Sequence, residues 1–324
     1  MRFVLDALDD STLERAGELV AREQTAARQS SPLLSVSSGD ARVLTESLQR
    51  LLDAGGRGLL ASHQGRPLAV MTAGVRDARP VGRYARLPAE GLAVDPDLDD
   101  PTAVLASLYR ALAVPLVADG VMRHYLLHVA HPPLSEALAN LGFARNGVYA
   151  VQAASPRPAS SDVVVRVAGP QHLDTVAALA LVELRHRAAA PMFGPFDERT
   201  LEDLLVEHRA LHDDGVVHLL ATLEGRDVGL LTVEPDSPAP RLCPPGQPYI
   251  GPTATVPDAR GRGVGRALVD AALDRAHRHG YRWVSVDFEA ANPLSRPFWL
   301  GAGFRPTGYG LVRLVDPLHR TRAD

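Results

Sequence analysis

The chain contains no lysine, so all of its fixed positive charge sits on arginine. Its 34 basic residues face 38 acidic ones, and the net charge of −4 offers no general basic surface for nucleic acid. Cysteine occurs once, at Cys243, which excludes an internal disulfide. That residue lies in a proline-rich stretch, Pro238 to Pro248, with no base nearby, so it reads as an incidental thiol. No apolar run is long enough to cross a bilayer. Asp6, Asp9 and Asp10 stand where a secretory signal needs an apolar core. The expectation is a cytoplasmic protein with no membrane or nucleic-acid partner. A His-Glu-x-x-His pattern is also missing. His208 and His212 are an i,i+4 pair on a predicted helix, but no third ligand is evident. They read as exposed helix face, and no metal is expected.

What the chain does contain is ordinary for a globular protein. A length of 324 residues, 46% hydrophobic and 22% charged, suggests two domains of usual size. Arg2 to Ala7 reads as a short strand. Ser11 followed by Glu14 looks like a capping box opening a helix with Leu13, Ala16, Leu19 and Val20 inward. After the Ser-rich stretch Ser30 to Ser38, a second helix is expected from about Asp40 to Ala54. Two strands, 58–63 and 67–75, flank a Gln64-Gly65 turn. A strand near 87–94, a helix from 102 to 118, a strand at 125–129, a short helix at 134–141 and a strand ending at Val151 complete the first half.

The segment 153–161, Ala-Ala-Ser-Pro-Arg-Pro-Ala-Ser-Ser, has no apolar periodicity and reads as a linker between domains at 1–152 and 162–324. After it the same order begins again. A strand at 163–167 is followed by a helix at 171–188 and a loop at 191–196. A helix capped near Asp197 then precedes a hairpin about Glu224-Gly225-Arg226. Pro96 and Pro257 are 161 residues apart, and so are Gly142-Phe143 and Gly303-Phe304. The chain therefore reads as an internal repeat.

The second half is organised around Arg260-Gly261-Arg262-Gly263-Val264-Gly265-Arg266. An apolar strand, Tyr249 to Val256, precedes it, and an amphipathic helix with Leu268, Ala271, Ala272 and Arg275 at helical spacing follows. Three glycines in five residues let the backbone approach a ligand and turn its N–H groups to one side. The helix that follows adds the positive end of its dipole, which favours an anion such as pyrophosphate. The alternatives are a bare, exposed Gly/Arg loop and a dinucleotide-binding turn. The strand–loop–helix–strand context speaks against the first. Against the second, Pro257-Asp258-Ala259 separates strand from glycines, and about sixty residues remain, too few for that fold.

These residues resemble the GNAT acyltransferases. Arg260-x-x-Gly263-x-Gly265 matches that family's phosphate-loop signature, and Pro257 precedes it as it often does there. Asn292, Ser295, Phe298 and Gly303-Phe304 resemble the later segment of the same family. The resemblance implies an α/β (α+β layered) fold of two tandem GNAT-like domains, each a mixed, mostly antiparallel central sheet flanked by helices. It implies acetyl-CoA as acyl donor, held by Ala254, Thr255, Val256, Arg260, Gly261, Arg262, Gly263, Val264, Gly265, Arg266, Asn292, Ser295 and Trp299. It also implies a small-molecule primary amine as acceptor and a monomer or homodimer. The resemblance places substrate contacts on the first two helices and their loop, at Glu183, Arg187, Met192, Phe193 and Phe196.

The family's chemistry needs a base for the amine, and the sequence offers Glu234 and Glu289. Asp287 and Glu289, two apart on a strand, share one face. The tyrosine that commonly serves as acid is replaced by Trp299, whose indole donates a hydrogen bond but no proton. Tyr309 and Ser295 are the weaker substitutes. Under the repeat offset, Asp99 faces Arg260, Thr102 faces Gly263, Val104 faces Gly265 and His131 faces Asn292. The first half has thus lost each signature residue and reads as a degenerate copy that does not bind the cofactor. A non-catalytic acyl-CoA sensor is the rival from another class. An amine like that acetylated by mycothiol synthase, a tandem member, is an alternative acceptor.

Overall fold

The computed structural model describes residues 3–34, 39–79, 81–158, 162–194 and 199–316. In the first half the elements run β1 (Val4–Ala7), α1 (Leu13–Ser30), α2 (Ala41–Asp53), β2 (Arg57–His63), β3 (Arg66–Ala78), β4 (Gly82–Leu87), β5 (Leu92–Val94), α3 (Thr102–Ala118), β6 (Arg123–Val129), α4 (Pro132–Asn140) and β7 (Ala144–Ala153). The second half repeats the order with β8 (Val163–Val167), α5 (Leu173–Ala188), α6 (Leu201–Asp213), β9 (Val217–Leu223), β10 (Arg226–Glu234), β11 (Tyr249–Thr255), α7 (Val264–Arg278), β12 (Trp283–Glu289), α8 (Ser295–Ala302) and β13 (Arg305–Leu314).

Two compact units result. The first holds Met1–Tyr149, Ala239–Pro244 and Pro306–Asp324; the second holds Ala150–Pro238 and Pro245–Arg305. Relative to a linear division at 153–161, two segments of the second half belong with the first unit. One is the tip of the β10–β11 connection. The other is β13, which pairs antiparallel with β6 from Gly308 opposite Val129 to Leu314 opposite Arg123.

In each unit the sheet is mostly antiparallel and lies between helices. The first unit shows why. Leu60 and Val70 are cross-strand partners, and Val70 also faces Ala93; all three point to α1 and α2, where Leu19, Val20, Leu44 and Leu48 are buried. Their neighbours Ala61, Ala69 and Met71 point the other way, into a core with Leu105, Leu108 and Leu138 of α3 and α4. The period of two along the strands thus feeds two helical layers. The second unit repeats this. Leu220 and Leu230 pack with Val176, Leu179 and Ala180 of α5. Gly229, one residue away and so on the opposite face, meets α7, where a Cβ would lie 2.6 Å from Val264 Cγ1.

Local details depart from the sequence expectations in three places. α1 starts after Thr12, and no Ser11–Glu14 capping box forms, because the Ser11 hydroxyl donates to Asp9 Oδ1 at 2.6 Å. α6 is capped by Thr200, which exchanges hydrogen bonds with Asp203, whereas the expected cap at Asp197 lies outside the described residues. The strand expected at 87–94 is interrupted by a single helical turn at Ala89–Gly91, after Pro88, which has no N–H for a ladder. Both hairpin turns are as expected. Gln64-Gly65 and Glu224-Gly225 all have positive φ, the type I′ geometry that matches strand twist. Among the described residues no helix is long and apolar enough to cross a membrane.

Candidate active site

In the second unit two neighbouring strands part. β11 and β12 run parallel but pair only at Tyr249 with Ser285 and Ile250 with Val286. Beyond Ile250 the chain reads Gly251-Pro252, where the register against β10 also slips, between Leu231 and Val233. Pro252 has no N–H to offer a ladder, and a bulge here bends the strand away. The gap opens into a cavity of about 710 Å³. The amide of Val256 is bonded to Val228 of β10 at 3.0 Å. Along an antiparallel strand the N–H direction alternates, so the amides of Thr255 and Thr253 point away from β10. Thr253, Ala254 and Thr255 line the cavity, while Val256 does not.

The glycine loop forms one end of this cavity. Gly261 and Gly263 have φ of 75° and 82°, a left-handed conformation that residues with a Cβ adopt at a cost. No heavy atom lies within 4 Å of where a Cβ would stand on either. Gly263 is the N-cap of α7 and supplies no side chain to its amides. The first-turn N–H groups are left for a ligand, together with the positive end of a 15-residue helix. Arg260 and Arg266 line the cavity here; Arg260 Nε donates to the carbonyl of Thr255 at 3.2 Å, and Arg266 pairs with Asp270 at 2.8 Å. Arg262 faces elsewhere, paired with Glu224.

Gly265 is needed for a different reason. A Cβ there would stand 3.2 Å from the ring of Phe298, so the start of α7 rests directly on α8. Asn292 caps the turn into α8, its Oδ1 accepting from Leu294 N at 3.0 Å and Ser295 N at 3.1 Å. Trp299 is buried, and its ring meets Phe298 and Phe304 edge-on. Its Nε1 donates to Ser295 Oγ at 3.0 Å. The indole N–H, expected to serve the cofactor, is thus taken up by Ser295, whose hydroxyl hydrogen is still available to donate.

The other end of the cavity is lined with carboxylates. Glu234, at the end of β10, lies opposite Tyr249 on β11. The Tyr249 hydroxyl donates to Asp287 on β12. Two residues on, Glu289 accepts from Arg187 Nε at 3.1 Å, and the same nitrogen is 3.6 Å from Glu183 on α5. Burial pushes Glu183 up to about 7, against the pull of Arg187, with Glu289 and Asp287 adding to the rise. Burial also raises Glu234, and Asp287 reinforces it. Asp287 lines the cavity and is reached by solvent there, yet its enclosing walls raise it despite the Tyr249 hydrogen bond and Arg187.

The cavity thus gathers most of the residues expected to form a site. Arg260, Gly261, Gly263, Val264, Gly265, Arg266, Asn292, Ser295 and Trp299 line it, and so do Glu183, Arg187, Glu234 and Glu289. Arg262 does not line it, and Phe193 is 75% exposed outside it. Phe196 lies outside the described residues. Tyr309 must be corrected. It stands on β13 in the first unit, with the Arg145 guanidinium 3.8 Å above its ring, because β13 pairs with β6. Tyr249, His186 and Phe298 were not singled out as cavity residues. Tyr249 and the β12 carboxylates two and four residues beyond its partner Ser285 were the available signal. His208 also needs correction. It is 3% exposed and packs edge-on against His218 of β9, with ring centroids 5.0 Å apart. No three His, Cys, Asp or Glu side chains among the described residues are grouped to hold a metal ion.

Residues 181–304 match the model of the Acetyltransferase (GNAT) family. A search of curated proteins gives no match. Among solved structures, a GCN5-related N-acetyltransferase from Sphaerobacter thermophilus superposes with a TM-score of 0.64 at 18% identity, covering 97% of this chain and 96% of that one. A tandem GNAT protein from the clavulanic acid biosynthesis pathway gives 0.52 at 14% identity, covering 98% and 100%. A glucosamine N-acetyltransferase region of a fungal multi-domain β-N-acetylglucosaminidase gives 0.56 at 12% identity, covering 96% of this chain and 38% of that one. At these identities the likeness is one of fold.

Proposed function

Because residues 181–304 match the Acetyltransferase (GNAT) family, we propose that the second unit moves an acetyl group from acetyl-CoA to a primary amine of a small molecule. One observation carries the proposal. An uncapped helix N-terminus with two left-handed glycines opens into the same cavity that holds four carboxylates. That is an anion cradle joined to an amine-binding end.

The residues present fit acetyl-CoA. The open space at Gly261 and Gly263 admits close approach of a pyrophosphate, and Arg260 and Arg266 add charge beside it. When bound, acetyl-CoA supplies a thioester whose carbonyl carbon is the electrophile. The Thr253 and Thr255 amides, directed away from β10, are the donors available to polarise that carbonyl. Glu234 takes a proton from the attacking amine, directly or through water. Its raised carboxyl suits this better than that of a fully solvated glutamate. Glu289, held by Arg187, orients that arginine and is the second candidate base. No side-chain acid is assigned, since the Trp299 indole supplies no proton and Tyr309 is not among the residues lining the cavity. The N–C bond forms, the C–S bond breaks, and the thiolate leaves to be protonated by solvent.

We infer that the first unit is a degenerate copy that binds no acyl-CoA. Calorimetric titration with acetyl-CoA tests both statements. The expected result is one site per chain, lost in Gly263→Asp, with thiol release when an amine is added. Two sites would overturn the degenerate copy, and no site would overturn the transferase reading.

A further inference from the structure

The cavity is electrically lopsided. Arg260, Arg266 and the start of α7 make one end positive, while at the other Glu183, Glu234, Asp287 and Glu289 face Arg187, the one arginine there among the described residues, with His186 beside it. Arg187 is committed to Glu289 at 3.1 Å and Glu183 at 3.6 Å. Among the described residues, neither Glu234 nor Asp287 has a cation within ion-pair distance; Asp287 has only the Tyr249 hydroxyl. The wall is short of donors elsewhere too, since Glu289 Oε2 is buried with no hydrogen-bond partner among the described residues.

These two carboxylates are held by strands rather than by loops. Glu234 is the register partner of Tyr249, and Asp287 lies two residues beyond Ser285, the partner of Tyr249 on the other side. Their positions are set by the ladder, so neither escapes its neighbour by swinging into solvent with a mobile segment. Burial raises the proton affinity of both, Asp287 adds to the rise of Glu234, and Glu289 adds to that of Asp287. Glu234 is half-buried and Asp287 is open to the cavity solvent, and a cationic group arriving beside either would favour its charged form. A monoamine would balance only one of them.

Resting on the acetyl-transfer reading, we propose that the acceptor carries two cationic nitrogens, the reacting amine at Glu234 and a second ammonium or guanidinium at Asp287. Glu234 receives the first as an ammonium and takes its proton, leaving the lone pair for attack. Asp287 keeps the second charged nitrogen and sets how far along the molecule the acetyl group is placed.

The test uses 1,4-diaminobutane and butylamine, which differ by one ammonium, titrated calorimetrically into the full chain saturated with CoA. The diamine is expected to bind roughly tenfold tighter or more, as one added charge pair in an enclosed site allows. Asp287→Asn should bring the two amines to within about threefold, and Glu234→Gln should weaken both. CoA affinity of each variant reports an intact fold. Equal binding of the two amines, or a preference unchanged by Asp287→Asn, would overturn the proposal. The same samples given acetyl-CoA separate this from the transfer reading. Tight diamine binding without thiol release would sink only the transfer reading. Equal binding with thiol release would sink only the two-charge acceptor.

Discussion

At the start of α7 the backbone turns left-handed at Gly261 and Gly263, and the helix amides carry no side-chain cap. At the corresponding place in the first unit, α3 follows Pro101, and the amide of Thr102 is already bonded to Asp100 Oδ1 at 2.9 Å. The loop before it is acidic, with Asp95 fully buried and paired to Arg66 at 2.6 Å and Asp97 to the same arginine at 2.7 Å. One helix end is left open to an anion; the other is closed by the chain's own carboxylates. The clefts differ in the same way. Between α5 and β11 the second unit has its cavity. Between α1 and the Ala89–Gly91 turn, the first unit holds the fully buried Arg241, paired with Glu23 and bonded to the carbonyls of Ala89 and Leu92. A shared framework thus encloses a cavity in one place and packed interior in the other. The difference rests on a few side chains rather than on the fold.

The largest effect expected from breaking this contrast is at the glycine loop. Gly263→Asp places a negative charge and a strained left-handed residue where an anion must sit, and should abolish acetyl-CoA binding by calorimetry. Thr102→Asp, at the closed helix end, should leave binding unchanged. Next is the filled cleft. Arg241→Met leaves Glu23 buried without its cation, and denaturant unfolding should show a loss of about 3–5 kcal/mol. Pairing it with Glu23→Gln should recover most of that.

Acid should weaken both units alike. Burial depresses His128 in the first and His218 in the second from 6.5 to about 4, so the folded chain holds fewer protons than the unfolded one. Their contribution is complete above about 6.5 and is lost progressively as pH falls toward about 4. Unfolding measured across that window should flatten in His218→Leu. The smallest effect comes from Glu183, whose carboxyl burial pushes up to about 7. Diamine affinity should rise a few-fold as pH increases through about 7, and Glu183→Gln should remove that rise.

Much of the second unit was legible in the residues. Glycine spacing marks the left-handed loop before α7 because only glycine adopts its backbone cheaply, and the apolar period marks the helix behind it. Glu234 and Glu289 were visible as strand-end acids. That Glu289 would hold a cation while Glu234 and Asp287 would not was hidden, since it depends on Arg187 arriving from α5 and on which carboxylates it meets. Tyr309 was misplaced because strand pairing is non-local. Nothing within residues 305–314 says that their partner is β6. His208 looked exposed because His218, ten residues away on another element, supplies the packing that buries it.

By itself the sequence determined the element types, the repeat and the place of the left-handed glycine loop before α7, all of which follow from short-range backbone freedom and periodic burial. The tertiary structure alone decided that β13 and the segment around Arg241 join the first unit, that the Trp299 indole bonds Ser295, and that Glu234 and Asp287 line the cavity with no cation in ion-pair distance among the described residues. Those outcomes depend on which distant segments meet, and a linear pattern carries no term for that.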